Sequence, residues 1–219
     1  MKHNKEFIKQ AVENCGVIAV IRGVKEESLP ALIQALSDGG ITVAELTFGV
    51  ESDQDTALLI KKAVELAGDN LIIGAGTVVN ACRAKLALEG GAKFVVSPNF
   101  NGEVIDFCSQ KGIVTVCGAL TPSEIYDAHT RGADFIKIFP SSGFGASYFK
   151  AVRAPFPQIP LFAFGGITGA NLGEYIKAGA IGVGIGSELI NLKAINAGDF
   201  DFVTNKAKEL VNEIKRAKE

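Results

Sequence analysis

Short apolar runs rich in β-branched residues recur along the whole chain, and each is followed by a cluster of Gly, Ser, Thr or Pro. Longer stretches with the periodicity of an amphipathic helix separate these runs. We interpret eight runs as strands: Val17–Ile21, Thr42–Leu46, Leu71–Ala75, Phe94–Val96, Ile113–Val116, Phe135–Phe139, Leu161–Phe164 and Ile181–Ile185. Their starts lie roughly 20 to 30 residues apart, about one βα unit each.

The intervening segments carry helix patterns, for example Glu27–Ser37 and Asp55–Leu66, where apolar residues return at helical spacing. Glycine pairs such as Gly39-Gly40 close several of these segments, as expected of helix C-caps. The N-terminal stretch Phe7–Glu13 has mixed charges, which suit a short amphipathic helix better than the apolar core of a signal peptide.

This rhythm predicts a single (β/α)8 barrel, the TIM barrel fold, as one domain over residues 1–219. An open doubly wound sheet more often has five or six strands and a phosphate loop after its first strand. Barrel active sites gather at the carboxyl ends of the strands. The residues at those ends are therefore the candidates for function.

Composition narrows the class of protein further. Lys and Arg total 22 against 24 Asp and Glu, so the net charge of −2 provides no footprint for nucleic acid or an anionic membrane. No apolar run approaches the roughly 20 residues needed to span a bilayer. The four cysteines and two histidines lack metal-ligand spacing. We expect a cytoplasmic protein with buried reduced thiols, a solvated His3, and neither metal nor other cofactor.

Lys137 is the sharpest candidate at a strand end. In the run Phe135–Phe139 the period of two places Ile136 and Ile138 on one face and the lysine on the other. If the isoleucines face the helices, the lysine points into the barrel, where desolvation leaves more free amine to attack a carbonyl. A structural lysine that pairs with a carboxylate or reaches the rim is the alternative.

Glu45 lies in a similar position in Val43–Thr47. Alternation puts Glu45 and Thr47 on one face and Ala44 and Leu46 on the other, so a carboxylate is also directed inward near a strand end. A buried glutamate and a buried lysine could form only an ion pair. They are also the general base and the nucleophile that an aldolase needs.

The last two strand ends suggest an anion site. Gly165 and Gly166 follow the seventh predicted strand, and Gly186 and Ser187 follow the eighth. Glycines let the backbone approach an anion, and a helix that begins after Gly186 and Ser187 would direct N–H groups at it. Loops after strands seven and eight are the usual phosphate site of barrels. Glycines in ordinary tight turns are the alternative.

Three further polar residues stand at strand ends. Arg22 could hold a carboxylate or phosphate by its planar fork, or form a salt bridge on the rim. Thr77 and Ser97 could donate to a carboxylate or a bound water, although turn and capping roles are common for such residues.

Several of these motifs together resemble the bacterial 2-keto-3-deoxy-6-phosphogluconate (KDPG) / 4-hydroxy-2-oxoglutarate (KHG) aldolase family. The similarity extends over nearly the whole chain, from Gly16 to Ser187. Its most specific parts are Glu45–Thr47, Gly74–Val78, Phe94–Pro98, Phe135–Pro140 and Gly165–Ile167.

The resemblance implies that Lys137 forms a Schiff base with pyruvate, that Glu45 moves protons, and that Thr77 holds the pyruvate carboxylate. It implies a metal-free homotrimer. The substrate-binding residues predicted from these motifs are Arg22, Thr47, Thr77, Ser97, Pro98 and Phe139, and those predicted to bind the phosphate of the aldehyde half are Gly165, Gly166, Gly186 and Ser187.

Two positions depart from the family pattern. The family usually has an arginine that reaches the substrate carboxylate where this chain has Gly49, and a threonine where this chain has Phe164. Losing one charge-assisted hydrogen bond costs on the order of 1.5–3 kcal/mol, which would weaken ordinary substrate use. We hypothesise that Arg22 substitutes for the absent arginine.

The sequence thus predicts a class I aldolase that cleaves a 2-keto-3-deoxy-6-phospho-sugar acid or a 4-hydroxy-2-oxoglutarate-type substrate to pyruvate and an aldehyde. One alternative is a phosphate-binding barrel isomerase or epimerase in which Lys137 acts only electrostatically. Another is a non-catalytic homologue that binds a keto acid or phosphate.

Overall fold

A closed parallel barrel forms the centre of the molecule. The computed structural model describes residues 4–219, so the expectation for His3 lies outside the described residues. The eight strands pair in chain order, β1 to β8, and β8 closes onto β1. Every pair is parallel, from Ala19 opposite Ala44 to Phe164 opposite Gly184. The predicted (β/α)8 fold is confirmed.

The strands lie close to the apolar runs of the sequence. They are β1 Val17–Ile21, β2 Val43–Thr47, β3 Ile72–Gly76, β4 Phe94–Val96, β5 Val114–Ala119, β6 Phe135–Ile138, β7 Leu161–Phe164 and β8 Gly182–Ile185. Three strands, β1, β4 and β7, match the prediction at both ends, and most bounds of the others move by at most one residue. β5 extends further, to Ala119, because Gly118 and Ala119 still pair with Lys137 and Ile138 of β6.

Helices cover the outside of the barrel. They are α1 Lys5–Cys15, α2 Leu29–Asp38, α3 Asp53–Ala67, α4 Ala81–Glu89, α5 Gly102–Gln110, α6 Pro122–Thr130, α7 Gly145–Arg153, α8 Leu172–Lys177, α9 Leu192–Asn196 and α10 Phe200–Lys218, with 3-10 turns at Glu26–Ser28 and Ser141–Gly143. The predicted C-cap at Gly39 is confirmed, and Gly40 after it has a φ of 84°. Among residues 4–219, no helix is both long and apolar enough to traverse a bilayer.

Successive side chains of each strand point alternately into two apolar layers, one outside the strands and one inside the barrel. Ile136 and Ile138 belong to the layer between strands and helices, whereas Phe135 belongs to the barrel interior. The interior layer also contains Ile8 and Val12 of α1, which therefore packs across the amino-terminal end of the barrel. The alternation predicted around Lys137 is confirmed, so the lysine lies on the inward face.

In the barrel interior, two glycines lie opposite two phenylalanine rings, which allows close packing. A Cβ atom added at Gly74 would lie 2.5 Å from the ring of Phe94, and one added at Gly182 would lie 2.4 Å from the ring of Phe162. Since real Cβ atoms do not approach this closely, the rings occupy space that only glycine leaves free. Aromatic residues thus fill the barrel below the level of Lys137.

The four cysteines are free. Cys108 and Cys117 are buried and Cys15 is partly buried, as expected of structural thiols. Cys82 is exposed, so the expectation of burial is wrong there. It lies in the first turn of α4, on the solvent side of that helix.

Candidate active site

A cavity of about 280 Å³ opens at the carboxyl ends of the strands. Most of the predicted site residues line it: Arg22, Glu45, Thr77, Pro98, Lys137, Phe139, Gly165, Gly166, Gly186 and Ser187. A wider neighbouring cavity of about 750 Å³ shares Arg22, Gly186 and Ser187 with it. Residues from distant parts of the chain therefore meet in one site because their strands end at the same rim.

The amine of Lys137 lies between two aromatic rings. Its Nζ is 4.4 Å from the ring centroid of Phe164 and 5.0 Å from that of Phe139, and the residue is 7% exposed. Burial lowers the pKa of Lys137 below its ordinary value; the nearby Glu45 carboxylate opposes this and Arg22 adds to it. A lowered pKa increases the fraction of neutral amine that can attack a carbonyl.

Glu45 faces the same cavity from β2. It is 1% exposed, and burial raises its pKa to about 7 in spite of the opposing charges of Lys137 and Arg22. Its Oε2 atom is buried without a hydrogen-bond partner in the described chain. A carboxyl group that titrates near neutral pH can both accept and return a proton.

The position of Glu45 depends on a neighbouring glycine. A Cβ atom added at Gly76 would lie 2.7 Å from the carboxyl carbon of Glu45. The carboxylate therefore packs against the bare backbone of β3. In residues 4–219, Glu45 and Lys137 do not form a salt bridge within 4.0 Å, so the two groups influence each other through charge rather than direct contact.

Thr77, directly after β3, has an unusual backbone. Its φ is 58°, the only positive φ at a residue other than glycine in the described range 4–219. For a β-branched residue this conformation is an outlier that costs on the order of 1–3 kcal/mol. Arg22 Nη2 donates a hydrogen bond to Thr77 Oγ1 at 3.1 Å, so the two predicted carboxylate-binding residues are in contact.

The loops after β7 and β8 surround the far end of the cavity. Gly165 and Gly166 have φ values of 85° and 74°, which favour glycine. A Cβ atom added at Gly166 would lie 2.5 Å from Ser142, whereas one added at Gly186 would meet nothing within 4 Å. The backbone at Gly186 is thus open to the cavity.

The expected helix directly after Gly186 and Ser187 is wrong. The N–H groups of Leu189 and Ile190 donate to the Gly186 carbonyl at 3.0 and 2.8 Å, which makes a turn, and α9 begins only at Leu192. The reason is the cap of α9: the side chain of Asn191 accepts from the N–H groups at the start of that helix.

Thr47 and Ser97 lie outside the lining of the 280 Å³ cavity. Thr47 faces a separate small cavity, and its buried hydroxyl has no hydrogen-bond partner in the described chain. Ser97 Oγ donates to the Asn99 carbonyl at 2.8 Å and accepts from the Gly118 N–H at 3.2 Å, which joins the ends of β4 and β5. Direct substrate binding by these two residues stays a prediction that the cavity does not support.

The two departures from the family pattern have different surroundings. Gly49 has a φ of 102° in the loop after β2, and an added Cβ atom there would meet nothing within 4 Å. Phe164 is 3% exposed and lines the cavity beside Lys137. An added Cβ atom at Gly184 would lie 1.9 Å from its ring, so Gly184 makes room for Phe164.

Sequence reasoning missed two charged residues next to the site. Glu188 lines the cavity, and its carboxylate accepts from the Gly169 N–H at 3.2 and 3.0 Å. Arg83 Nη1 donates to the Thr77 carbonyl at 3.1 Å. Glu188 directly follows Ser187, a residue predicted to bind phosphate, and this position in the chain could have identified it. Arg83 lies within a helix pattern and gave no such signal.

No cluster of three or more His, Cys, Asp or Glu side chains able to hold a metal ion occurs in residues 4–219. The chemistry of the cavity is that of a desolvated lysine and a carboxyl group inside a barrel rim. Fold and site together define a (β/α)8 barrel enzyme of the lysine–carboxylate type.

Comparison with known proteins agrees with this class. The family described as "Aldolase: KDPG and KHG aldolase" matches residues 8–206. The 2-dehydro-3-deoxy-6-phosphogalactonate aldolase of Escherichia coli (strain K12) is 36% identical over 174 residues, 79% of this chain and 83% of the relative. The 2-dehydro-3-deoxy-phosphogluconate aldolase of Pseudoalteromonas atlantica is 35% identical over 195 residues, 89% of this chain and 88% of the relative.

Solved structures are similar as well. A crystal structure of KDPG aldolase from Legionella pneumophila, with pyruvate captured at low pH as a covalent carbinolamine intermediate, superposes with a TM-score of 0.85. It is 26% identical and the match covers 96% of this chain and 99% of that chain. The chain belongs to the KDPG and KHG aldolase family.

Proposed function

We propose that Lys137 and Glu45 carry out class I aldol cleavage in this chain, on a 2-keto-3-deoxy-6-phospho-sugar acid or a 4-hydroxy-2-oxoglutarate-type substrate. The products are pyruvate and an aldehyde, glyceraldehyde 3-phosphate or glyoxylate. The protein is a carbon–carbon lyase of the aldolase type. The observation that carries the assignment of residues is the buried Lys137 amine, 4.4 Å from the Phe164 ring, in one cavity with Glu45, whose pKa is raised to about 7.

The reaction begins with the neutral amine of Lys137. It attacks the 2-keto carbon to form a carbinolamine, which loses water to give an iminium. Glu45 then accepts the proton of the C4 hydroxyl while the C3–C4 bond breaks, and the bonding electrons pass into the iminium to form an enamine. The aldehyde leaves with C4. Glu45 returns its proton to C3, and hydrolysis of the iminium releases pyruvate and the free lysine.

Thr77 and Arg22 are assigned to the substrate carboxylate. The Arg22–Thr77 hydrogen bond of 3.1 Å places a guanidinium and a hydroxyl side by side at the end of β3. This pair supports the hypothesis that Arg22 takes the place of the arginine that is absent at Gly49. A planar guanidinium binds a carboxylate through two parallel hydrogen bonds, which fixes the orientation of the keto acid.

The phosphate of the aldehyde half is assigned to the loops after β7 and β8. The open backbone at Gly186 supports this, together with the left-handed glycines Gly165 and Gly166. The Glu188 carboxylate near these loops already accepts the Gly169 N–H and lies 3.6 Å from Lys206 Nζ, which partly offsets its charge. Turnover of a phosphorylated substrate is expected to exceed that of its dephosphorylated form; equal efficiency would remove the phosphate assignment.

The proposal also covers the oligomeric state and the cellular location. We take residues 1–219 as one aldolase domain that assembles as a homotrimer in the cytoplasm. Sedimentation that shows a monomer at micromolar concentration would contradict the trimer. The isomerase or epimerase alternative is not favoured, since the chain belongs to an aldolase family and its lysine is buried as a Schiff base requires.

Trapping with borohydride tests the mechanism. The protein is incubated with pyruvate, reduced, and digested, and the added mass is located by peptide mass spectrometry. The adduct is expected on Lys137, absent in Lys137→Met, and unchanged in Lys150→Met, which alters an exposed lysine of α7. An adduct elsewhere, or none with the protein folded and pyruvate in excess, contradicts the assignment of Lys137.

Cleavage assays distinguish the substrates. The rates with KDPG, its C4 epimer and 4-hydroxy-2-oxoglutarate are compared under the same conditions. A high kcat/KM for one of the three identifies the aldehyde and the C4 configuration. An adduct on Lys137 without cleavage of any of them would favour the non-catalytic binding protein.

A further inference from the structure

Thr77 has a left-handed backbone, and the peptide groups on both sides of it make hydrogen bonds to neighbouring strands or their ends. On one side, the Phe48 N–H donates to the Gly76 carbonyl at 2.9 Å; on the other, the Val78 N–H donates to the Val96 carbonyl at 3.1 Å. The carbonyl of Thr77 itself accepts from Arg83 Nη1 at 3.1 Å. This carbonyl belongs to the same peptide group as the Val78 N–H, so Arg83 of α4 and the backbone of β4 hold that peptide group from its two sides.

Arg83 is itself held in a defined orientation. Its Nε lies 3.0 and 3.1 Å from the two carboxylate oxygens of Asp53, and its Nη2 lies 3.0 Å from Oδ1. Nε thus shares its hydrogen bond between the two oxygens and Nη2 lies beside one of them, so two guanidinium nitrogens face the carboxylate and the orientation of the group is restricted. The Arg83 side chain is 19% exposed and that of Asp53 is 34% exposed.

A third contact limits movement of the guanidinium. Its central carbon lies 5.5 Å from the ring centroid of Phe48, a residue with no exposed surface. Phe48 and Asp53 both follow β2 in the chain, and β2 is the strand that contains Glu45. Arg83 thus joins the ends of β2 and β3 to the first turn of α4, in the position from which it reaches Thr77.

We infer that Arg83 is a positioning residue that keeps Thr77 in its left-handed conformation and so directs the Thr77 hydroxyl, with the attached Arg22, at the carboxylate of the keto acid. The inference rests on the assignment of Thr77 to that carboxylate under the proposed function. Arg83 does not line the 280 Å³ cavity, so it acts through Thr77 and not on the substrate.

The physical reason is the preference of threonine for other backbone conformations. A β-branched residue moves out of the left-handed region unless its surroundings hold it there. If Thr77 relaxes, its hydroxyl turns away from Arg22, and both contacts with the carboxylate are disturbed together. Lys137 lies on β6 and keeps its place, and Glu45 keeps its packing against Gly76 because the Phe48 N–H still bonds the Gly76 carbonyl.

The test uses exchange of the pyruvate methyl protons with deuterium, which needs the Schiff base and the proton transfer but no aldehyde. Arg83→Met is expected to raise KM for pyruvate about tenfold and to leave kcat within about twofold. Arg83→Lys keeps one donor and is expected to recover part of the loss. Arg131→Met is the matched control, because Arg131 makes a similar pair with Asp106, at 2.9 and 2.6 Å, away from the cavity.

A double-mutant cycle shows whether Arg83 acts through residue 77. Glycine adopts a positive φ without support. Thr77→Gly alone is expected to raise KM, because it removes the hydroxyl, and Arg83→Met in that background is expected to add less than about twofold. A tenfold effect of Arg83→Met that persists with glycine at position 77, or an unchanged KM in the single variant, overturns the inference.

Two further results separate this inference from the proposed function. Thermal unfolding of each variant shows whether it is folded; if Arg83→Met is not, Asp53→Asn frees the guanidinium and is expected to raise KM in the same direction. No pyruvate adduct on Lys137 of the unaltered protein contradicts the proposed function. A normal adduct together with an unchanged KM in the folded variants contradicts only the role of Arg83.

Discussion

The ring of Phe164 lies 4.4 Å from Nζ of Lys137, closer than the 5.0 Å that separates this atom from the ring of Phe139. A ring face attracts an ammonium group, which favours the charged lysine. Exclusion of water by the same ring favours the neutral amine, and burial is the larger influence on the pKa of Lys137, which is lowered. Phe164 therefore helps keep the nucleophile in its reactive form.

Replacing this ring should make Schiff-base formation more dependent on pH. Phe164→Thr admits water beside Lys137 and raises its pKa, so the rate of pyruvate adduct formation at pH 7 is expected to fall several-fold, given that each pKa unit is tenfold in the free amine. The loss should disappear as the pH rises towards the ordinary pKa of lysine. Phe164→Leu is the control, since it keeps an apolar side chain. Parallel pH profiles for the two variants would contradict the role of desolvation.

The raised pKa of Glu45 predicts a pH dependence of the rate. The carboxylate must be ionised to accept the C4 hydroxyl proton, so cleavage should increase with pH through about 7. Glu45→Gln removes this limb and should lower kcat by a factor of roughly 10²–10⁴. Methyl-proton exchange should fall with it. Near-normal exchange in this variant would show that another group moves the proton.

The same group should also make stability depend on pH. Its pKa is raised from 4.5 to about 7 on folding, so its contribution is fully present below pH 4.5 and is lost as the pH rises through about 7. Glu45→Gln should therefore gain stability relative to the unaltered protein between pH 5 and 8, by up to about 3 kcal/mol. Urea unfolding measures the difference. Glu65→Gln, which alters an exposed glutamate of α3, is the control.

Arg22 is expected to contribute binding rather than chemistry. Arg22→Ala removes a guanidinium next to Thr77 and should raise KM for pyruvate roughly tenfold to a hundredfold, the effect of about 1.5–3 kcal/mol for a charge-assisted hydrogen bond. Steady-state kinetics of methyl exchange check this. Arg216→Ala is a suitable control, because that side chain is 76% exposed. If KM does not change, the carboxylate of the substrate is bound elsewhere.

Gly184 should be intolerant of even one added carbon. A Cβ atom there would lie 1.9 Å from the Phe164 ring, and Gly184→Ala is expected to destabilise the fold by about 1–3 kcal/mol through overpacking. Phe164→Val in the same chain should restore most of the loss, because the smaller side chain vacates the space. Thermal unfolding of the single and double variants gives the result. Gly143→Ala, where an added Cβ atom meets nothing within 4 Å, should be neutral.

Local pattern was sufficient for the barrel and for the direction of its key side chains. Alternation around Lys137 and Glu45 predicts their inward direction, because a strand places successive side chains on opposite faces. The ends of some strands could not be predicted as well. β5 continues through Gly118 and Ala119 only because β6 provides partners for them.

The roles of the candidate residues at the ends of the strands were harder to predict from sequence. Sequence position alone does not show whether a hydroxyl is already used by the fold, and Ser97 is bonded to the backbone at Asn99 and Gly118. The helix expected after Ser187 was wrong because Asn191, further along the chain, provides the cap at which α9 begins. Such outcomes depend on which groups meet in space.

The sequence by itself determined the eight-fold βα rhythm, the inward lysine and carboxylate, and the family, since these follow from periodicity and short motifs. Only the tertiary structure decided how the charges interact. Three contacts join residues of different strands and helices: Glu45 is buried against Gly76, Lys137 is buried beside Phe164, and Arg83 bonds to Thr77. A pKa or a strained turn depends on these neighbours, and closure of the barrel brings them together.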